Sequence, residues 1–290
     1  MGPLVDALGR IGARHAAVIV VDDIGVFDHA GDLDAQFALA SVSKMLAAYG
    51  FLIAHEEGIL DLDRPAGPPG ATVRHCLAHA SGLGYERTDP LVGPPGARRA
   101  YSNAGIEVVA DLVAEEAGMD FSDYLDEGVF APLGMTHSTL EGSPAHGARS
   151  SAGDLGRFSS ELLRPTLVSD GTLGIASTVA FAGLDGIVPG YGRQQPCDWG
   201  LGFEIRGMKD PHWTGKMNSP STFGHFGRSG TFCSVDPLER VAIALLTDRE
   251  FDAVAKREWP RLADGVIVDH RSAPERPDNL RAMRARGSKS

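Results

Sequence analysis

The chain has 290 residues, 38 Asp/Glu against 27 Lys/Arg, a formal net charge of −11 and 43% apolar side chains. This is the balance of a globular protein with enough chain to bury a sizeable core, and its acidity excludes a nucleic-acid binder, which needs a basic stripe. Three scattered cysteines (Cys76, Cys197, Cys233) make neither a disulfide framework nor a Cys-x-x-Cys metal knuckle.

Residues 16–21 are a continuous apolar run, and a second β-prone run at 25–29 follows the polar pair Asp22-Asp23, so the two read as a hairpin. Residues 41–57 then form a helix that is apolar on nearly every face and stops at Gly58, which marks it as buried and central. Two Gly-Pro-Pro-Gly segments, at 67–70 and 93–96, punctuate loops. A helical period places Ile106, Val109, Ala110, Val113 and Ala117 on one face until Gly118, and 152–163 repeats the pattern with Leu155, Phe158 and Leu162 inward. Strand-like runs return at 200–206, 224–234 and 241–247, and a helix over about 251–268 closes the fold.

From these elements the chain divides into a sheet lobe built from residues 1–60 and 197–270 and a helical lobe from 61–196. The last twenty residues, 271–290, carry six Lys/Arg against two Asp/Glu, which leaves −15 on the rest, and are expected to form a mobile basic tail. No stretch approaches the roughly 20 apolar residues of a membrane span, and the N-terminus lacks a secretory pattern, so a cytoplasmic protein without a membrane partner is expected.

Ser41-Val42-Ser43-Lys44 sets a hydroxyl and an amine three residues apart at the start of the apolar helix, on one face. A serine needs a neighbouring base to become a nucleophile, and a lysine can be that base once burial disfavours its ammonium form. With 20 serines and 5 lysines, such a pair also arises by chance about 0.3 times, as an N-cap serine followed by a solvated lysine. The wholly apolar helix argues against a free lysine there. Tyr101-Ser102-Asn103 opens the amphipathic helix, where Asn103 could cap and Tyr101 could pack. Gly224-His225-Phe226-Gly227 lies in a strand-like run, with glycines that permit close approach of a ligand or backbone. His75, Cys76 and His79 have a helical zinc spacing but no evident third ligand, so no metal and no cofactor is expected. Gly-x-Ser-x-Gly, the elbow of α/β-hydrolases, is absent.

Ser-x-x-Lys, Tyr-x-Asn and His-x-Gly in this order, with the phrases at 37–44, 57–63, 72–83 and 132–135, resemble the serine β-lactamase and penicillin-binding-protein superfamily. The likeness is greatest to its class C β-lactamase-like, esterase-like branch and spans about residues 16–268. It implies an α/β (α+β) fold, a mostly antiparallel sheet flanked by helices with an inserted helical region. It implies Ser41 as the acyl-accepting nucleophile, Lys44 as base or proton relay, and Tyr101 as the group that passes the proton to the leaving group. Asn103, His225, Phe226 and Gly227 would border the substrate, and the backbone N–H groups of Ser41 and Arg228 would form the oxyanion hole. Phe226 stands where relatives offer a threonine hydroxyl that helps hold a substrate carboxylate, although the Arg228 charge lies nearby. The expected activity is therefore that of an esterase or amidase on a small uncharged acyl group, with an ester, amide or lactam as partner. A β-lactamase, a D-alanyl peptidase or an acyl transferase of the same fold is the alternative, and an inactive relative that binds a ligand is the alternative of another class.

Overall fold

The computed structural model describes residues 2–274. Pro3–Ile11 forms α1, which the sequence reading passed over, although Leu4, Ala7 and Ile11 are its buried stripe. The apolar run becomes β1 (Ala16–Asp22) and pairs with β2 (Val26–Ala30) across the polar turn. A short β3 (Gln36–Ala38) and a 3₁₀ turn (Ala40–Val42) lead into α2 (Ser43–Glu56). The helical stretch that follows holds α3 (Val73–Leu77), α4 (Asn103–Ala117), α5 (Phe121–Leu125), a π-helical turn (Asp126–Phe130) and α6 (Ala131–Leu133). Next come β4 (Thr139–Leu140) and β5 (Ala148–Ser151), the latter pairing with β4 on one side and β3 on the other, then α7 (Ala152–Leu163) and α8 (Asp170–Ala176). The hairpin β6 (Gly186–Val188) and β7 (Gly192–Gln194) precedes β8 (Glu204–Ile205), β9 (Phe223–Gly227), β10 (Thr231–Asp236), β11 (Val241–Thr247) and α9 (Ala253–Ser272).

The main sheet has six antiparallel strands in the order β2-β1-β11-β10-β9-β8, so its strands come from both ends of the chain. Its central strands are buried on both faces, which is why they read as unbroken apolar runs. On β1, Ala17, Ile19 and Val21 join one core with α2, α4 and α7, while Val18 and Val20 join a second core with α1 and α9. Strand β11 divides the same way, with Ala242, Ala244 and Leu246 on the first side and Val241, Ile243 and Leu245 on the other. The sheet is thus the middle of three layers, and α2 is buried from Ser43 to Ala54.

Three expectations change. The run at 224–234 is two strands, β9 and β10, joined by a turn in which Gly230 adopts φ 88°. Of 200–206 only Glu204–Ile205 is strand. The closing helix continues to Ser272, and Arg271, placed at the start of a mobile tail, is instead ion-paired to Glu239 at 2.5 Å. The remainder of that tail, 275–290, lies outside the described residues. Among the described residues no helix is long and apolar enough to cross a membrane.

Candidate active site

Ser41 sits in the 3₁₀ turn that feeds α2, directly after Ala40, whose φ of 46° is left-handed. A non-glycine residue there costs about 1 kcal/mol or more and needs support from its surroundings. Strands β9 and β10 supply that support. Thr231 Oγ1 donates to the Leu39 carbonyl at 2.9 Å, and a Cβ on Gly227 would meet the same carbonyl oxygen at 2.3 Å. Gly227 therefore lets β9 lie directly against the turn that carries Ser41.

One helical turn on, Lys44 is fully buried, and its Nζ donates to Asn103 Oδ1 at 2.7 Å and to the Ala145 carbonyl at 2.8 Å. Burial lowers its pKa to about 7, against the opposing pull of Glu86 and Glu107. A neutral amine has two N–H donors and one lone pair, so these two acceptors take both donors and leave the lone pair free. Asn103 is held the right way round for this: its Nδ2 donates to Glu86 Oε1 at 2.9 Å, which turns Oδ1 toward Lys44. Its amide, expected on the substrate, is thus engaged by Lys44 and Glu86, and the residue is buried.

Tyr101 lies just ahead of α4, its ring centroid 4.8 Å from Lys44 Nζ. Burial holds its pKa above the ordinary phenol value, outweighing the opposing pull of the Ser41 hydroxyl, so it stays a phenol. His225 Nδ1 is 2.7 Å from the Phe226 carbonyl, which can only accept, so the proton is on Nδ1 and Nε2 is an acceptor. The Tyr101 hydroxyl stands 3.3 Å from Nε2 and donates to it. Having one proton, Tyr101 can then offer the Ser41 hydroxyl only an acceptor. Burial and the Lys44 charge lower the His225 pKa to about 4, so the ring is neutral at pH 7. His225 thus engages Tyr101 and also borders the cavity at Ser41, where substrate contact was expected.

His79 packs against the Tyr101 ring at 4.6 Å and accepts from the Ser102 N–H, while His75 bonds Thr72 and packs on Phe181 at 4.2 Å. These contacts give both histidines structural roles.

Ser41, Tyr101, His225, Phe226 and Arg228 all border one cavity of about 310 Å³. Tyr85, Trp199 and Phe251 make the rest of its wall aromatic, with Pro189 and Gly190 beside them. The sequence reading did not find these residues: they come from separated loops and strand ends and follow no period. It also missed Glu204, which borders the cavity and is buried with Lys209 and His212 at 3.2 and 3.1 Å. Burial opposes the Glu204 charge, but Lys209, His212 and the Trp213 N–H outweigh it and hold the carboxyl well below the usual range. Phe226 is buried among Phe251, Tyr191, Trp213 and Trp259 with ring centroids 5.0 to 6.1 Å apart.

The sequence profile of the beta-lactamase family matches residues 4–267. The crystal structure of a β-lactamase from Mycobacterium bovis is 49% identical, with a TM-score of 0.90 over 92% of this chain and 98% of that one. A simvastatin synthase variant from Aspergillus terreus shares the fold at 18% identity and a TM-score of 0.76, covering 92% of this chain and 93% of the other. Penicillin-binding protein 4* of Bacillus subtilis is 30% identical over 136 residues, or 36% of this chain. The matches span 30% of that relative's length and about half the length of other curated relatives. The architecture is that of the β-lactamase/transpeptidase fold.

Proposed function

The chain belongs to the beta-lactamase family of serine hydrolases, and on that premise we propose that it forms an acyl-enzyme on Ser41 and acts as an esterase or amidase on a small, uncharged acyl group. The observation that carries this reading is the aromatic cavity of about 310 Å³ bordered by Ser41. Its size is at the small end for ligand pockets. Its wall favours an apolar acyl chain.

In the first half-reaction the Ser41 oxygen attacks the acyl carbon, and the Ser41 proton moves through the Tyr101 hydroxyl to the Lys44 lone pair. The Lys44 pKa, about 7, lies above that of His225, about 4, so the proton rests on Lys44, and His225 orients the phenol. The carbonyl oxygen becomes an oxyanion held by the backbone N–H groups of Ser41 and Arg228. The bond to the leaving group then breaks, and the proton returns through Tyr101 to that group. Water repeats the sequence on the acyl-enzyme and regenerates Ser41.

Intact-mass spectrometry after incubation with a fluorophosphonate, a p-nitrophenyl ester and a penicillin tests this reading. Mass gains equal to the phosphonyl or acyl group, absent from Ser41→Ala, are expected. Failure of all three reagents to modify Ser41 overturns it.

A β-lactamase is the second reading, favoured by the M. bovis relative and by the Arg228 charge at the cavity. Phe226→Thr separates the two. Introducing the hydroxyl is expected to raise kcat/KM for β-lactam relative to ester severalfold, while the aromatic cluster loses about 3–5 kcal/mol of packing. The ratio is therefore measured well below the variant's melting temperature. An unchanged ratio means that Phe226 does not set the preference.

A further inference from the structure

The cavity at Ser41 shares Tyr85, Tyr101 and Pro189 with a second, larger one of about 470 Å³. No residue of β9 borders this second cavity, so the two cavities adjoin at Tyr85, Tyr101 and Pro189 while His225 and Phe226 border only the first. Its walls carry Arg98, Arg99 and Arg193 against a single carboxylate, Asp185. Arg99 is buried, and its guanidinium donates to the carbonyls of Ala78, Cys197, Ala180 and Phe181, so it contributes charge rather than a free donor. Arg193 is exposed and paired with Asp185 at 2.6 Å. Arg98 is exposed, and among the described residues no carboxylate pairs with it. Ile187, 65% exposed, and Tyr85, 52% exposed, put apolar surface beside these charges.

A net positive wall is unusual on a chain of −11. The net charge of the chain disfavours anions, whereas the arginines of this compartment attract them. Its place relative to Tyr101 says which end of a substrate it meets. The acyl chain occupies the aromatic cavity, and the leaving oxygen must take its proton from the Tyr101 hydroxyl. The group attached to that oxygen therefore runs past Tyr101 into the arginine-lined compartment.

Resting on the acyl-enzyme reading above, we propose that the compartment bordered by Arg98, Arg193, Tyr85 and Ile187 is a leaving-group subsite for an alcohol or phenol that carries an anionic group. The substrate class is then an ester with an uncharged acyl half and an anionic alcohol half. In the step itself the Ser41 oxygen–acyl bond forms, the ester C–O bond breaks, and the departing oxygen takes the relayed proton. The anionic group is unchanged and serves only to bind.

Phenyl butyrate and its 4-sulfophenyl analogue differ only in that charge, and dividing each kcat/KM by the ester's own hydroxide rate removes the difference in leaving-group acidity. The normalised ratio is expected to favour the sulfonate by about tenfold at low salt, as one or two partly exposed ion pairs supply. It should fall severalfold between about 0.02 and 0.5 M NaCl as screening shortens the reach of the charges. In Arg98→Glu/Arg193→Ala the ratio should drop to about 1 or below. A wild-type ratio near 1 that ignores salt overturns the subsite, and so does a sulfonate preference that survives both substitutions. If phenyl butyrate leaves no acyl group on Ser41 and neither ester is cleaved, the reading beneath it fails and the subsite with it.

Discussion

Lys44→Met is expected to lower kcat/KM for a small ester by about a thousandfold, within the range that general-base groups contribute. Methionine fills the buried space with an unbranched apolar chain of similar length, so the loss reports on the amine rather than on a collapsed helix. The decisive readout is the pH profile. Lys44 works as a base only when neutral, and its pKa is about 7. Wild-type kcat/KM should therefore fall tenfold for each unit of pH below 7 and level off above it. In Lys44→Met that limb should vanish from the residual rate. Glu86→Gln gives the complementary shift. The Glu86 charge raises the Lys44 pKa, so its removal should move the limb to lower pH. A limb that stays in place in both variants would assign the titration to another group.

Gly227→Ala is the second large effect, expected to cost about 1–3 kcal/mol of stability and about a hundredfold or more in kcat/KM. The added Cβ would stand 2.3 Å from the Leu39 carbonyl oxygen, 2.5 Å from Thr231 Oγ1 and 3.2 Å from the Ala40 Cβ. Two of these belong to the segment just before Ser41, so relief of the clash must shift that segment relative to β9 and displace Ser41 from its present seat. Gly265→Ala is the matched control: it lies on α9 with nothing within 4 Å of the new Cβ. That change should keep activity and, by helix propensity, hold or slightly raise the melting temperature. Thermal unfolding and ester kinetics on both variants check the prediction, and full activity in Gly227→Ala would mean that β9 does not set the position of Ser41.

How much of this was open to the sequence depends on whether a residue's environment is local. Ser41 and Lys44 are legible because i and i+3 on a helix share a face, and because the burial of Lys44 follows from the apolar residues around it. The sheet's central strands were legible for the same reason, each being an unbroken apolar run. The N-terminal helix has a clear stripe of Leu4, Ala7 and Ile11, yet it is only nine residues long and easily passed over. The hairpin of β9 and β10 was merged into one run because its tight turn contains no proline to mark the break. Nothing local shows that Glu86 would orient Asn103, or that Asn103 would turn to Lys44. Those contacts join residues 17 and 59 positions apart. The cavity wall is less legible still. Tyr85, Pro189, Trp199, Glu204 and Phe251 meet only after the chain has folded back several times.

The close seat of β9 against the turn before Ser41 also bears on how this protein can change over evolutionary time. The residues proposed to form and release an acyl group are joined backbone to backbone at β9 and through the buried Lys44 amine. Pro189, Gly190 and Ile187, which border the two cavities, sit apart from that joint on the hairpin of β6 and β7, whereas Tyr85 is tied to it through its carbonyl, which accepts from the Asn103 N–H at 2.8 Å. On the function proposed above, exchanges in that hairpin would change what enters while leaving Ser41, Lys44 and Tyr101 in place. Drift in substrate range and persistence of the reaction are, in this architecture, independent variables.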